Sequence, residues 1–341
     1  MNKTRLGLMG FGRIGRNVFR LLHERDDLEI VAISDIADPA ALTYLLKYDS
    51  IYGRFPEKLE YGDGLLTYGN NTISFTGDRN PADTSWGNHG VEIVLDTTSR
   101  FKTSDTLGGH LANGAKKVIL TSSPDTADDI PLLLRGVNDE VLDEAPDIVA
   151  LGSNTSNAAA PILVTLDESF GIKSAYMTVV KAMSNSGRLA DVPTESFRTS
   201  RAAGENIIPA ETNTAEILTQ ALPSLANKLN VVALNVPVVD GSTVDMVVQT
   251  EEPTDGASVN QAIENAVNER YSQIIEYTND PIVSSDVRLN SHSGVYDSLA
   301  TLVTGDDMVK TITWFNNGWG YSHRAVEVAV AISSKLSGGQ S

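Results

Sequence analysis

Cysteine is absent from the 341 residues of this chain, which excludes disulfides, thiolate metal sites and cysteine nucleophiles. Basic residues are scarce: 26 Lys and Arg face 44 Asp and Glu, a formal charge of −18. Such a surface repels phosphate backbones and anionic bilayers, so neither nucleic acid nor a membrane is expected as a partner. The five histidines, His23, His89, His110, His292 and His323, are scattered without ligand spacing, and no metal site is expected. No uninterrupted apolar run approaches the length of a membrane span, and no apolar signal region precedes the first strand. A cytoplasmic location is the expectation. What is present is ordinary for a soluble globular protein, 41% apolar and 21% charged, on a chain long enough for two domains with cores of their own.

The stretch Arg5-Leu6-Gly7-Leu8-Met9-Gly10-Phe11-Gly12-Arg13-Ile14-Gly15-Arg16 supplies the first chemistry. Leu6 and Leu8 alternate as in a strand, three glycines follow at G-x-G-x-x-G spacing, and Ile14, Val18, Leu21 and Leu22 recur at helical spacing. In such a unit Gly10 turns the chain, Gly12 lets the backbone approach a pyrophosphate, and Gly15 lets the helix pack closely on the strand. Phe11, Arg13 and Ile14 complete the turn, whose helix start offers N–H groups to the phosphates. A second apolar strand, residues 28–33, ends at Ser34-Asp35. Asp35 lies 20 residues beyond Gly15, where a carboxylate accepts hydrogen bonds from an adenosine ribose and repels a 2′-phosphate. NAD is therefore the expected cofactor.

Downstream, helical patterns at 39–47 and 106–113 alternate with strands at 91–95, 117–122 and 148–151, and a hairpin turning at Gly69-Asn70 is expected within 57–79. This alternation predicts a doubly wound, parallel α/β sheet of the Rossmann type, with ligands at the carboxyl ends of its strands. Thr98, in Asp96-Thr97-Thr98-Ser99-Arg100-Phe101 after the strand at 91–95, falls on that cofactor side. The second half reads differently, with long strands at 174–183, 231–239, 243–250 and 308–315 and helices at 158–170, 214–222 and 258–271. An α+β domain with a mostly antiparallel sheet and helices on one face is expected. A closing helix over 322–336 and a frayed tail over 337–341 complete the pattern.

Six landmarks resemble, in order and spacing, the phosphorylating glyceraldehyde-3-phosphate dehydrogenase family over nearly the whole chain. They are Gly10-Phe11-Gly12-Arg13-Ile14-Gly15-Arg16, Leu46-Lys47-Tyr48-Asp49-Ser50, Gly114-Ala115-Lys116-Lys117-Val118-Ile119, Gly136-Val137-Asn138, Asn206-Ile207-Ile208-Pro209 and Trp319-Gly320-Tyr321-Ser322. The resemblance implies an NAD-binding domain over 1–152, a catalytic domain over 153–317, and a closing helix that returns to the first domain. It implies a homotetramer in which a loop at about 183–204 reaches toward a neighbouring subunit's cofactor. It also implies that Asn317 and Tyr321 hold the nicotinamide ring and its amide.

At the reacting end the chain departs from the family. The family's Ser-Cys-Thr-Thr-Asn motif is here Ser153-Asn154-Thr155-Ser156-Asn157, with Asn154 in the cysteine's place. Lys181 stands where the family has the histidine that activates that cysteine. The family's chemistry needs a thiolate that adds to an aldehyde and carries a thioester, whereas an amide has no proton to lose near neutral pH.

Two readings stay open. In the first, an NAD-dependent oxidoreductase moves hydride directly to or from a small carbonyl or alcohol substrate, phosphorylated or not, with Lys181 as acid/base and Asn154 polarising the oxygen. Ser153, Thr155, Ser184, Ser186 and Thr212 then present hydroxyls to the substrate. Asn235 occupies the place of the family's phosphate-binding arginine, with Arg198 and Arg201 nearby in sequence. A lysine imine with a carbonyl substrate is a lesser variant. In the second reading the chain is a catalytically inactive NAD-binding paralogue with a regulatory or interaction role; Lys181 pairs with a carboxylate and Asn154 caps the following helix.

Overall fold

Strand β1 (Thr4–Met9) lies between two parallel neighbours, which is why its apolar residues run almost unbroken: Leu6, Leu8 and Met9 are all buried. In the computed structural model, which describes residues 3–126, 129–185 and 187–338, the chain divides into two compact units. The first gathers the described residues of Met1–Leu133, Asp139–Gly152 and Ser322–Ser341; the second is Leu134–Asn138 with Ser153–Tyr321.

In the first unit β1 leads through α1 (Arg13–Leu22) to β2 (Leu28–Ser34) and α2 (Pro39–Lys47). A small hairpin, β3 (Tyr48–Asp49) with β4 (Gly53–Arg54), follows. Then come β5 (Leu59–Gly62), β6 (Leu65–Tyr68), β7 (Asn71–Thr76), β8 (Ile93–Asp96), α3 (Ser104–Ala112), β9 (Lys117–Leu120) and β10 (Ile148–Ala150). The sheet order is β10-β9-β8-β1-β2-β7-β6-β5. Pairings from β10 to β7 are parallel, and β7-β6-β5 is an antiparallel meander. Gly69 turns the β6–β7 hairpin at φ +51, a conformation that glycine adopts without a Cβ penalty. The strand order reverses direction between β1 and β8, and the carboxyl ends at that switch point are where an open α/β sheet binds its ligand.

The second unit builds a mixed sheet from β11 (Ile172–Lys181), β12 (Ile208–Ala210), β13 (Leu229–Asn235), β14 (Ser242–Thr250), β15 (Ile275–Thr278), β16 (Gly294–Asp297), β17 (Leu302–Thr304) and β18 (Met308–Phe315). Its order is β12-β13-β11-β14-β18-β16-β15, with β17 also on β18. Only β11–β13 and β15–β16 are parallel. Period-two alternation along β11 turns Ala175, Met177 and Val179 into the core with α4 (Asn154–Phe170). The core also takes in Leu218 of α5 (Thr214–Ala221) and Ile263 of α6 (Gly256–Ala266). The opposite face carries Tyr176, 66% exposed, and Val232, 58% exposed.

The last helix, α7 (Trp319–Gly338), starts three residues before the expected 322. Asn316 explains the early start, since its Oδ1 accepts the N–H groups of Gly318 and Trp319. Within the first unit, Ser333 of α7 bonds Thr4 of β1 at 2.6 Å and Lys335 donates to Leu142 O at 2.6 Å. Residues 337 and 338, expected in a frayed tail, belong to α7, and residues 339–341 lie outside the described residues. Among the described residues no helix is long and apolar enough to cross a membrane.

Candidate functional site

The turn after β1 separates what the fold demands from what a ligand demands. Gly10 has φ +89, and a Cβ there would lie 3.0 Å from Thr98 N. A Cβ on Gly15 would lie 2.4 Å from Gly10 O. Both glycines are therefore required by the protein itself. A Cβ on Gly12 would meet nothing within 4 Å, so that glycine clears space for something the chain does not supply. Gly12 is also the N-cap of α1, where no side chain accepts a hydrogen bond and no acidic residue occupies the first turn of Arg13, Ile14 and Gly15. A helix start left in this way suits an anion.

Phe11 contributes its backbone. Its N–H donates to Asp35 Oδ2 at 2.6 Å, while its ring is buried edge-on against Phe19 and Phe75. Asp35 Oδ1 accepts the Ala37 N–H at 2.9 Å, so the carboxylate is fixed at the end of β2 with lone pairs left for hydroxyl donors. Gly10, Gly12, Asp35, Thr98, Arg100 and Phe101 help line one cavity of about 220 Å³ at the switch point. The cleared Gly12 position, the uncapped helix start and the anchored carboxylate fit a dinucleotide.

In the second unit the cap of α4 is Ser153 and not Asn154. Ser153 Oγ accepts the Ser156 N–H at 3.1 Å, and Ser156 Oγ accepts the Ser153 N–H at 2.9 Å. With the capping position taken, Asn154 is the first helical residue and its amide turns elsewhere. Oδ1 accepts the Thr155 N–H at 2.8 Å and Nδ2 donates to Asn317 O at 3.0 Å, which leaves one Nδ2 hydrogen without a protein acceptor among the described residues. Thr155 is fully buried, its hydroxyl 3.4 Å from Asn154 Oδ1, and Ser153 Oγ is engaged in the cap. Neither hydroxyl is directed to open space in the way the sequence reading supposed.

Asn317 is a hub. Its Oδ1 accepts from Ser242 Oγ at 2.5 Å, and its N–H points to Asp240 Oδ1 at 3.4 Å. Ser242 Oγ in turn accepts the N–H of Ala182, the residue after Lys181, at 3.0 Å. The end of β11, the start of β14, the turn before α7 and the start of α4 are thus tied together through Ser242 and Asn317. Asp240, almost fully buried, also accepts from Asn316 Nδ2 at 2.6 Å. Sequence reading missed Ser242 and Asp240, for they sit in a turn-like Asp-Gly-Ser with no local pattern to mark them.

Lys181 ends β11 in register with Asn235 of β13. Burial pushes the pKa of its ammonium down, and no charge opposes that shift. No carboxylate pairs with it among the described residues, contrary to the reading that had it in an ion pair. Tyr321 is buried, and burial raises its phenol well above the usual range.

The remaining residues fall elsewhere. Thr212 bonds Thr214 at 2.7 Å and lines, with Arg198, Thr199, Glu195 and Glu211, a cavity of about 850 Å³. Arg201 is held by Asp191 at 3.1 Å instead. Ser184 is exposed, and Ser186 lies outside the described residues. Among the described residues no three His, Asp or Glu side chains converge as metal ligands.

Comparison with known proteins finds a family match in each half of the chain. Residues 4–104 match the family described as glyceraldehyde 3-phosphate dehydrogenase, NAD binding domain, and residues 153–317 match its C-terminal domain. Glyceraldehyde-3-phosphate dehydrogenase 2 of Streptomyces avermitilis is 40% identical over 334 residues, covering 97% of this chain and 99% of the relative. The glyceraldehyde-3-phosphate dehydrogenase of Streptomyces coelicolor is 41% identical over 335 residues, with the same coverage. That of Geobacillus stearothermophilus is 39% identical over 333 residues, again covering 97% and 99%. With the dinucleotide turn, both domain matches and this identity carried end to end, the chain belongs to the glyceraldehyde-3-phosphate dehydrogenase family and its cofactor is NAD.

Proposed function

We propose that this protein is an NAD-dependent oxidoreductase of the glyceraldehyde-3-phosphate dehydrogenase type that works without an acyl-enzyme, on a small carbonyl or alcohol substrate. The observation that carries the proposal is Asn154. It stands in the nucleophile's place with its amide clamped by Thr155 N and Asn317 O, so its remaining Nδ2 hydrogen has a fixed direction. A preoriented donor of this kind stabilises charge developing on a substrate oxygen.

When bound, NAD supplies the hydride acceptor. The chain's residues supply the rest. In the oxidative direction neutral Lys181 Nζ takes the hydroxyl proton, Asn154 holds the oxygen as it becomes a carbonyl, and the C–H bond delivers hydride. In the reductive direction the ammonium returns the proton. Burial lowers the pKa of Lys181, toward the range in which one side chain can both take and return a proton. Asn317 and Tyr321 serve the nicotinamide side, while Ser184, Ser186, Thr212 and Asn235 serve the substrate, with Ser153 and Thr155 shaping the start of α4. Arg198 and Thr212 share a cavity that a phosphoryl group would suit, but Glu195 and Glu211 line it too. An unphosphorylated substrate is therefore as compatible as a phosphorylated one.

One observation favours the inactive NAD-binding paralogue: Asn154 Oδ1 and one Nδ2 hydrogen are already used within the protein. The two readings separate by NAD(H) absorbance with a panel of phosphorylated and unphosphorylated aldehydes, ketones and hydroxy acids, run beside NAD calorimetry. Saturable turnover of one compound supports the enzyme. NAD binding with no turnover across the panel overturns it in favour of the paralogue. We further propose domains over 1–152 with 322–336 and over 153–317, a cytoplasmic location, and a homotetramer that covers the exposed sheet face of Tyr176 and Val232. A monomer in sedimentation at micromolar concentration would count against that assembly.

A further inference from the structure

In the first unit a line of buried polar groups leads from the core to the wall of the dinucleotide cavity. Trp86, His110 and Asp96 are each fully buried. Trp86 Nε1 donates to His110 Nδ1 at 2.8 Å. An indole nitrogen is only a donor, so Nδ1 must be the unprotonated nitrogen and Nε2 carries the hydrogen. His110 Nε2–H then donates to Asp96 Oδ2 at 3.3 Å. The other oxygen, Oδ1, accepts both the backbone N–H of Thr98 at 2.9 Å and its hydroxyl at 2.6 Å. Thr98 Oγ1 finally accepts the Arg100 N–H at 3.1 Å. Every donor in this line points the same way, toward the carboxylate and from both sides.

The line ends on a segment that needs holding. Between Thr98 and Arg100 lies Ser99, a non-glycine residue at φ +54, a left-handed conformation that is unfavourable without compensating contacts. The bond from Arg100 N–H to Thr98 Oγ1 spans Ser99, and the bond from Thr98 Oγ1 to Asp96 anchors it. Thr98 also packs against Gly10, where a Cβ would come within 3.0 Å, and Thr98, Arg100 and Phe101 line the cavity. Trp86 is itself wedged in place, since a Cβ on Gly7 of β1 would meet its ring at 2.7 Å.

We infer that Trp86, His110 and Asp96 are positioning residues for NAD: they fix the 97–101 wall of the cofactor cavity through an orientation-specific hydrogen-bond chain. A buried carboxylate with no cation beside it is an expensive group for mere packing. Here it is placed at a strand's carboxyl end and spends one oxygen entirely on Thr98.

The test is NAD affinity by calorimetry on the full-length protein, well below its melting temperature. His110→Gln can accept from Trp86 through Oε1 and donate to Asp96 through Nε2, keeping both directions. His110→Leu removes both bonds, and Asp96→Asn turns a second donor toward His110 Nε2–H. His110→Leu and Asp96→Asn are expected to raise the NAD Kd at least tenfold, and His110→Gln to stay within threefold of the parent. Folded His110→Leu and Asp96→Asn proteins that bind NAD like the parent overturn the inference. So does a His110→Gln protein as impaired as His110→Leu, because shape and not bonding direction would then be at work. Should the two disruptive variants fail to fold, Thr98→Val removes the hydroxyl's two bonds, to Asp96 and from Arg100, and leaves the Thr98 N–H on Asp96; a several-fold weaker Kd supports the chain and an unchanged Kd overturns it. Nitrogen-15 spectra of the parent are expected to show His110 protonated at Nε2 alone at neutral pH, and protonation at Nδ1 would contradict the chain's direction.

Discussion

The turn at Gly10–Gly15 and the start of α4 are both places where a family motif meets its ligand, and they differ in what holds them. At the turn the requirements are on the backbone: a positive φ at Gly10, 2.4 Å of clearance at Gly15, empty space at Gly12. At α4 they are on side chains, and the partners come from afar, Asn154 bonding Asn317 across 163 positions and Ser242 bonding Asn317 across 75. A backbone requirement has essentially one chemical solution, glycine, so the turn keeps its motif. A side-chain requirement can be met by different chemistry, and the first residue of α4 is a clamped amide, Asn154.

Lys181→Met gives the largest expected effect and tests the α4 side. Loss of a general acid/base lowers kcat by about 10²–10⁴-fold, with NAD affinity by calorimetry unchanged within twofold. Stability should move the opposite way. The folded-state pKa of Lys181 lies below its ordinary 10.5, so between the two values the unfolded chain binds more protons and stability rises with pH. Below the folded-state pKa the parent carries the cost of a buried ammonium, so Lys181→Met is expected to be more stable in urea there and to lose the rise with pH. Turnover that survives the substitution removes Lys181 from the chemistry.

The turn is broken next. Gly15→Ala drives a methyl into a backbone oxygen and is expected to cost about 2–4 kcal/mol by urea unfolding. Gly12→Ala meets no protein atom and should cost less than about 1 kcal/mol, yet weaken NAD at least tenfold. Equal stability losses at the two positions would erase the distinction between fold-demanded and ligand-demanded glycine.

How much was legible follows the same division. The parallel sheet, the hairpin at Gly69 and the helices at 39–47 and 158–170 show in period and turn chemistry, because these are local; that the last of them begins at Asn154 did not show. The place of Asp35 beside the turn was legible because its distance from Gly15 is set by one βαβ unit. The Ser242–Asn317–Asn154 linkage was not, since nothing near Ser242 differs from an ordinary turn. Thr155 misled for a related reason. Next to a reactive position in sequence, it is placed by the helix's rotation into the core, and a list of hydroxyls carries no record of that rotation.

A smaller effect is expected from Asn154→Asp, which keeps the shape but replaces the Nδ2 donor by an oxygen facing Asn317 O. We expect kcat to fall about 10–100-fold, in the range of one lost oxyanion donor, and stability to fall by about 1–3 kcal/mol. Unchanged steady-state rates would mean that the amide hydrogen left over is not aimed at substrate.

Ser153→Ala has the smallest expected effect, and it addresses how α4 begins. The capping box satisfies two donors, Ser156 N–H and Ser153 N–H, and only the first uses the Ser153 side chain. Removing that hydroxyl leaves one N–H unpaired at the helix start, a cost of about 1 kcal/mol in urea unfolding. Asn154 hangs its amide on the first turn of the same helix, so fraying there would loosen the clamp on Asn317 as well and lower kcat by a few-fold while KM stays put. If stability falls by that amount and kcat does not move, the Asn317 and Thr155 bonds hold Asn154 without help from the cap. In that event the reacting end would share the turn's property of being fixed locally, and the contrast between the two regions would narrow to the identity of one side chain.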